Sequence, residues 1–293
     1  MTQKIRNTLT AYILLFPALL LFLVFVLIPF AYEFWISLHH WDGFGEMKYM
    51  GLHNYLALLK DAEFYLALKH NIYYAFGTVI GKVFFALVIA LLLNGAFRGV
   101  VFFRTVFFMP AVMSFVAIGI LWQWIYNPSF GMLDAALTHL GITKVPIQWL
   151  GQAKTALLSL MIVDIWRWTG YHMVLFLAGL QNIPRDLYEA AEVDGASPRQ
   201  KLFYITLPQL KTITLLNITI SAMGAFNVFD IIYVMTDGGP YNSTNVLLTY
   251  MYKQTFGASN DFGYGTTIAF ALFLIILVIT FIHLRIMEKD QRD

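Results

Sequence analysis

The sequence predicts an all-α integral membrane protein with about six transmembrane helices. Of its 293 residues, 59% are hydrophobic and only 12% are charged, which is too apolar for a soluble domain of this length. The apolar residues gather into runs long enough to cross a hydrocarbon core of roughly 30 Å as helices. A single transmembrane domain over 1–293, with its core at about 71–284, accounts for the chain. The absence of cysteine excludes disulfides and thiolate chemistry.

The six predicted spans follow the apolar runs in chain order. They cover about 11–32, 71–93, 106–126, 156–179, 210–235 and 263–284. The first run exceeds the apolar region of a cleaved signal peptide, which is roughly 7 to 15 residues, so we expect it to be a retained span. The mixed, aromatic stretch at about 34–70 is predicted to be an external segment that lies along the membrane surface.

The distribution of basic residues predicts the orientation of the spans, because cytoplasmic segments of membrane proteins hold more Lys and Arg than external ones. With the N-terminus inside, the inner basic residues are Lys4, Arg6, Arg98, Arg104, Arg185, Arg199, Lys201, Lys211, Arg285, Lys289 and Arg292. The outer ones are spread over longer segments and are Lys48, Lys60, Lys69, Lys144, Lys154 and Lys253. We therefore expect a multi-pass protein with both termini and the loop at about 182–208 in the cytoplasm.

The polar 182–208 loop separates the fourth and fifth spans and is predicted to form a helix, a sharp turn and a second helix. Pro184 suits a first helical turn, and Asp186 and Glu189 lie favourably near the positive end of the helix dipole. Gly195 can adopt the left-handed conformation that ends a helix.

A second helix is predicted to start directly after this turn. Ser197 and Gln200 have the spacing of a capping box, in which each side chain satisfies the other residue's backbone donor. Pro198 falls where a helix tolerates proline, whereas Pro208 is predicted to interrupt the helix. These local features alone are equally compatible with an ordinary solvated loop between membrane helices.

The order of residues in the loop resembles a known motif. Glu189, Ala190 and Ala191 are followed after three residues by Gly195, and after nine more by the stretch 205–208. This pattern resembles the EAA loop of ABC importer permeases, in which a cytoplasmic coupling helix docks into a groove of an ATP-hydrolysing subunit. The resemblance assigns ATPase coupling to Glu189, Ala190, Ala191, Asp194, Gly195, Ile205, Leu207 and Pro208.

Three further stretches resemble the carbohydrate-uptake branch of these permeases, which includes maltose and glycerol-phosphate permeases. They are GLHNY at 51–55, LAGLQNIP at 177–184 and TDGGP at 236–240. The resemblance implies the type I ABC importer permease fold and a place in the plasma (inner) membrane, in contact with lipid. It also implies three kinds of protein partner: a second homologous permease subunit in a heterodimer, two copies of an ABC ATPase, and an external solute-binding protein.

No enzyme site is predicted in the chain. A phosphate-binding loop needs G-x-x-x-x-G-K-[ST] so that backbone amides can surround phosphates, and the nearest stretch, 77–83, has the wrong spacing. We therefore expect ATP and Mg to bind the partner ATPase, with no cofactor in this chain. The histidines lack the spacing of metal ligands, and the small net charge of +2 does not indicate nucleic acid as a partner.

The fourth span carries candidate substrate-pathway residues on one helical face: Asp164, Arg167, Trp168 and Tyr171. Ionisable groups inside a membrane usually face protein or water. The functional interpretation is a pathway wall, in which aromatic rings stack on a sugar and polar groups bind its hydroxyls. For the two charged residues the alternative, an Asp164–Arg167 ion pair buried between helices, is slightly favoured.

One face of the fifth span gives a second set of candidate pathway residues: Asn217, Ser221, Gly224, Ala225 and Val228. Small residues on a membrane helix also favour close helix packing, which is the alternative interpretation. By resemblance, this stretch lines the substrate cavity of sugar permeases, and Tyr171 and Ser221 stand where maltose-type members contact sugar. Those members carry larger or polar residues at Gly224, Ala225 and Val228, so we do not expect the substrate to bind as maltose does.

Other polar and aromatic residues in the spans allow less specific interpretations. Lys82, in the second span, could extend its amine to the interface, pair with an acid, or meet an anionic substrate, in that order of preference. Asn227 and Asp230 lie on neighbouring faces of the fifth span and are predicted to face the partner subunit. An aromatic belt at the membrane interfaces is predicted from Trp35, Trp41, Trp122, Trp124 and Tyr126.

These features predict a permease subunit that forms half of an ATP-driven translocation pathway for a sugar or related polyol. The alternative is an ion-coupled secondary transporter for a small polar solute. Such folds commonly contain inverted repeats, and the sequence has no convincing repeat. A membrane enzyme would need a polar catalytic cluster, which is not evident in the sequence.

Overall fold

The computed structural model describes residues 3–290, with side chains over 12–285, and it is mostly helical. The helices are α1 (Gln3–Phe22), α2 (Ile28–Ser37), α3 (His53–Leu58), α4 (Ala62–Leu93), α5 (Val100–Val112), α6 (Phe115–Ile125), α7 (Met132–His139), α8 (Ala153–Gln181), α9 (Arg185–Val193), α10 (Pro198–Lys201), α11 (Leu207–Gln209), α12 (Lys211–Phe226), α13 (Asp230–Thr236), α14 (Leu247–Phe256) and α15 (Phe262–Asp290). Two short strands, β1 (His39–His40) and β2 (Lys48–Tyr49), pair antiparallel. The all-α fold predicted from the sequence is confirmed.

Six helical stretches correspond to the predicted spans. Tyr12–Ser37, Ala62–Leu93 and Phe262–Arg285 are each long and apolar enough to cross a membrane. The bent pairs α5–α6 and α12–α13 are long and apolar enough when each pair is taken as one span. The remaining stretch is α8, which has 29 residues and extends about 43 Å at 1.5 Å per residue.

The segment between the first two spans is shorter than the predicted 34–70 stretch, because α2 continues to Ser37 and α4 already begins at Ala62. Buried Asn54 organises this segment: its Nδ2 donates to the carbonyls of Ser37 and His39 at 2.9 and 3.0 Å. Tyr55 Oη lies 2.7 Å from Ser37 Oγ. The GLHNY motif therefore fixes the segment against the end of α2.

The third span is not the continuous crossing predicted from its apolar run. Helices α5 and α6 meet at 102°, because Met113 and Ser114 between them have extended backbone conformations. The fifth span is also bent, by 45°, where the helix stops after Phe226 and resumes at Asp230. Neither bend has a proline or glycine at the break to signal it in the sequence.

Two five-residue π-helical turns each stand two positions before a proline. Leu23–Leu27 precedes Pro29, and Leu202–Thr206 precedes Pro208. In both cases the N–H of the residue before the proline bonds to the carbonyl five residues back. Proline lacks an N–H and crowds the carbonyl four residues back, and the extra residue of a π turn accommodates both effects. The prediction that Pro208 interrupts the helix is therefore wrong, since the break comes two residues later, at Leu210.

The chain divides into two compact units. The first contains residues up to Ala62 together with Met251–Phe273, and the second contains Glu63–Tyr250 together with residues from Leu274 onward. In the first unit, the ring of Phe30 packs against Phe270 and Phe273 with centroids 5.8 and 4.8 Å apart.

The second unit is built around α8. Its side chains Leu160, Met173 and Phe176 are fully buried. A Cβ atom placed on Gly170 would lie 1.9 Å from the carbonyl oxygen of Phe107, so the backbones of α5 and α8 are in direct contact at this point. Such close approach of small residues is how membrane helices gain packing energy without a hydrophobic effect between them.

Candidate transport cavity and coupling loop

A cavity of about 470 Å³ lies within the second unit, between the middle of α8 and the bend of the fifth span. Its walls come from α4, α6, α8, α12 and α13. The lining residues are Lys82, Phe115, Asp164, Trp168, Tyr171, His172, Ile220, Ser221, Gly224, Asn227, Val228, Phe229 and Asp230. This volume is in the range of roughly 300 to 1,000 Å³ that is usual for small-molecule sites.

Aromatic side chains form one wall of the cavity. The rings of Trp168 and Tyr171 meet edge to face, with centroids 5.8 Å apart and an interplanar angle of 85°. Phe115, at the start of α6, lies 6.3 Å from Trp168. Half-buried rings of this kind offer flat apolar faces beside polar groups, an arrangement suited to a ligand that is apolar on one face and hydroxylated at its edges.

Asp164 pairs with Lys82, not with Arg167 as the favoured interpretation held. Lys82 Nζ on α4 lies 2.6 Å from Asp164 Oδ2 on α8, and the two side chains are only 3% and 6% exposed. The first preference for Lys82, an amine extended to the interface, is wrong for the same reason. A buried charge is strongly stabilised by a partner at contact distance, and Asp164 on α8 supplies the opposite charge.

Arg167 instead caps the broken third span. Its Nη2 donates to the carbonyl of Met113 at 2.8 Å, and its guanidinium lies 3.4 Å above the ring centre of Phe115. Met113 is the residue that follows α5, so the cation neutralises the carbonyl end of that helix. Arg167 is buried and does not line the cavity. The other three members of the predicted face, Asp164, Trp168 and Tyr171, all line it.

The fifth-span candidates divide between the cavity and the packing behind it. Ser221, Gly224 and Val228 line the cavity. Buried Asn217 lies outside the lining, and its Oδ1 is 2.7 Å from His172 Nδ1 on α8. Ala225 also lies outside the lining, and its carbonyl accepts a hydrogen bond from Asn71 Nδ2 at 3.3 Å.

Several lining residues were not predicted as pathway residues. Asn227 and Asp230, predicted to face the partner subunit, both line the cavity, because the bend turns their faces toward α8. His172 shares a helical face with Trp168, and that spacing could have identified it. Phe229 has no comparable signal, since it joins the cavity only through the bend.

The 182–208 loop has the predicted helix–turn–helix form. Helix α9 ends at Val193, and Gly195 has φ +73°, the left-handed conformation expected of it. The capping box is present: Ser197 N donates to Gln200 Oε1 at 2.7 Å, and Gln200 N donates to Ser197 Oγ at 3.4 Å. Pro184 lies one residue before the helix, at its N-cap.

The loop presents an exposed surface that combines the predicted acidic and small residues with apolar ones. Glu189 and Ala190 are exposed. Val193 and Tyr204 are 89% and 79% exposed, and neither was among the predicted coupling residues. A large side chain with apolar surface in a polar loop is the sequence signal that could have identified these two residues.

Internal contacts hold the two halves of the loop together. Tyr188 Oη on α9 lies 2.9 Å from Thr206 Oγ1, and Lys201 Nζ lies 2.7 Å from Glu192 Oε1. Buried Leu210 packs in the same apolar cluster as the end of α8, and Ile205 packs partly against this cluster. Ile205 therefore supports the loop from inside, whereas Glu189 lies on its outer surface.

Apolar helices that line a cavity containing several polar side chains, with an exposed loop between the two principal cavity helices, define a membrane transport subunit. The model of the family described as the binding-protein-dependent transport system inner membrane component matches residues 82–292. The chain belongs to this family. It is thus a multi-pass permease component of the inner membrane.

Curated relatives match almost the whole chain. A probable ABC transporter permease protein, YurN of Bacillus subtilis, is 37% identical and covers 98% of this chain and 99% of its own length. The trehalose/maltose transport system permease protein MalF of Thermococcus litoralis is 35% identical, with 99% and 97% coverage. The arabinooligosaccharides transport system permease protein AraP of Bacillus subtilis is 36% identical, with 94% and 87% coverage. These relatives are named as permeases, not as enzymes.

A solved structure shares the fold. A chain of a bacterial ABC transporter involved in the import of the acidic polysaccharide alginate superposes with a TM-score of 0.83 at 21% identity, with 98% of each chain covered. A further structure of a bacterial alginate ABC transporter, in complex with an alginate pentasaccharide-bound periplasmic protein, gives a TM-score of 0.82 over 96% of this chain. The similarity supports the type I permease fold.

Proposed function

We propose that this chain is one permease subunit of an ATP-driven importer and forms half of the translocation pathway for a sugar or related polyol. The observation that carries the proposal is the position of the cavity. Its aromatic wall is on α8 and its hydroxyl-bearing wall is on α12, and these helices are joined through the exposed 182–208 loop. Relatives named for trehalose, maltose and arabinooligosaccharide transport support the carbohydrate class.

The loop would couple the cavity to ATP hydrolysis on a separate subunit. Tyr171 is ten residues before the end of α8, a distance of about 15 Å along the helix. A rigid helix of this length transmits movement of the loop directly to the cavity wall. Closure of two ATPase copies, which bind ATP and Mg, then moves the loop, and α8 and α12 rock so that the cavity faces alternately outward and inward.

The proposed assembly places this chain beside a second homologous permease in a heterodimer, with an external solute-binding protein delivering the substrate. Both termini and the 182–208 loop lie on the cytoplasmic side, as the basic residues predict. Glu189 pairs with a basic residue of the ATPase, and the small side chains of Ala190 and Ala191 permit close docking. Gly224 and Val228, which line the cavity, are small or apolar where maltose-type members carry larger or polar groups, which supports a different sugar.

Purification of the complex tests this proposal. The chain is co-expressed with its chromosomal neighbours, purified in detergent, and the associated proteins are identified by mass spectrometry. We expect a second permease and an ATPase, and we expect the ATPase to be lost when Glu189 is replaced by Arg. A chain that purifies alone or as a homo-oligomer without an ATPase would favour the ion-coupled secondary transporter instead.

A further inference from the structure

Four side chains that can carry a charge near neutral pH line the cavity, and three of them are already engaged within the protein. Lys82 and Asp164 neutralise each other at 2.6 Å, and both are buried. His172 is 2% exposed, and its Nδ1 lies 2.7 Å from Asn217 Oδ1. The Lys82–Asp164 pair is neutral as a whole, and the buried His172 ring is held against α12.

Asp230 is the fourth of these groups, and unlike the other three it is exposed to the cavity. It is the first residue of α13, immediately after the bend, and it is exposed on the cavity wall. Among the residues that the structure describes, it forms no hydrogen bond or ion pair. A carboxylate at this position keeps its negative charge available to whatever enters the cavity.

Arg167 is the other cation near this region, and the negative charge of Asp230 acts on its guanidinium. Its side chain is nevertheless only 5% exposed and does not line the cavity. Its Nη2 is bonded to the carbonyl of Met113, and the Phe115 ring covers its guanidinium. An entering anion would therefore meet the Phe115 ring and not the guanidinium.

We propose that Asp230 makes this cavity selective by charge: it admits uncharged sugars and cationic amino sugars, and it disfavours sugars that carry a carboxylate or phosphate. This inference rests on the proposed function, since it names the substrate class of the same cavity. Charges in a partly enclosed, low-dielectric site interact over several ångströms. The Asp230 carboxylate faces an entering solute directly, whereas Arg167 lies behind the Phe115 ring, so the carboxylate separates ligands that differ only in charge. The aromatic wall of Trp168 and Tyr171 serves all three kinds of sugar equally, because it contacts the ring and not the charged substituent.

Equilibrium binding of three matched sugars tests the proposal. Glucose, glucosamine and glucuronate share one ring and differ at neutral pH in carrying no charge, a positive charge and a negative charge. Binding is measured by dialysis of radiolabelled sugar against the complete importer in detergent, without the external binding protein, so that only the cavity discriminates. We expect glucuronate to bind about tenfold more weakly than glucose, and glucosamine at least as tightly as glucose.

Variants of Asp230 separate a charge effect from a structural one. Asp230→Asn keeps the size and polarity of the side chain but removes its charge, so we expect the glucuronate penalty relative to glucose to fall to less than about threefold. Asp230→Lys is expected to reverse the order of glucosamine and glucuronate. Asp237→Asn removes a carboxylate from the same span outside the cavity and is expected to leave the order as it is.

The two proposals fail in distinguishable ways. Saturable binding in which glucuronate matches glucose, or an Asp230→Asn variant with the wild-type ratio, would overturn the role of Asp230 and leave the sugar assignment standing. No saturable binding of any of the three sugars would overturn the carbohydrate assignment on which the inference rests.

Discussion

The Lys82–Asp164 ion pair links α4 to α8 inside the bundle, so it offers a direct test at the scale of single residues. Lys82→Met leaves the buried carboxylate without its partner, and we expect a loss of about 3 kcal/mol in the free energy of unfolding. The double variant Lys82→Met with Asp164→Leu removes both charges and should recover most of that loss. Thermal unfolding of the purified complex in detergent measures both variants. A double variant that loses as much stability as Lys82→Met, or more, would mean that the two charges are not coupled.

Gly170 is a second test at this scale. Substitution with Ala places a methyl group 1.9 Å from the Phe107 carbonyl oxygen, so α5 and α8 must separate. We expect Gly170→Ala to lower the unfolding temperature by several degrees, since overpacking costs roughly 1 to 3 kcal/mol. Gly224→Ala is the matched control, because a Cβ there meets nothing within 4 Å. Similar unfolding temperatures for the two variants would contradict the close contact of the helices.

At the scale of elements, the turn of the 182–208 loop depends on the conformation of Gly195. Its φ of +73° is costly for a β-branched residue by about 1 to 2 kcal/mol, although a Cβ meets no neighbour within 4 Å. We expect Gly195→Val to leave the protein in the membrane while uptake is lost and ATP hydrolysis continues. Gly195→Asn should retain transport, because asparagine tolerates this conformation. Assays of ATPase activity and uptake on the same preparations test this expectation, and a fully coupled Val variant would contradict it.

The exposed apolar side chains of the loop give a separate prediction. Val193 is 89% exposed, and we expect Val193→Asp to reduce co-purification of the ATPase by at least tenfold without changing the unfolding temperature. Val145→Asp is the control, since Val145 is 72% exposed but lies in a different segment. Equal recovery of the ATPase with both variants would place the docking surface elsewhere.

Most of the helices and turns could be predicted from the sequence, because their sequence signals are local. Apolar runs located the spans, and the turn at Gly195 and the capping box follow from neighbouring residues. The bends near Met113 and Asn227 could not be predicted, since neither break falls at a proline or glycine. Pro110 and Gly224 stand three residues earlier, inside the preceding helices. The prediction that Pro208 interrupts the helix was wrong for the opposite reason. A π turn accommodates the proline, so a residue that usually ends a helix does not end this one.

At the scale of the whole molecule, the family and the class of transport followed from motifs, whereas the cavity depended on long-range contacts. The partner of Asp164 lies 82 residues earlier in the chain, and a helical face on α8 alone suggested Arg167 instead. The same face correctly brought Asp164, Trp168 and Tyr171 to one wall. Asp230 entered the cavity only through the bend of the fifth span, which the sequence did not reveal.

Uptake into proteoliposomes shows whether ATP hydrolysis on a partner subunit drives a sugar through this cavity. The complete importer is reconstituted with its external binding protein, and accumulation of radiolabelled sugar is followed with ATP on the ATPase side or with an imposed proton gradient. We expect uptake that requires ATP, persists when a protonophore collapses the gradient, and stops in Gly195→Val. Accumulation driven by the proton gradient without ATP would rule out ATP-driven import and establish ion-coupled transport instead.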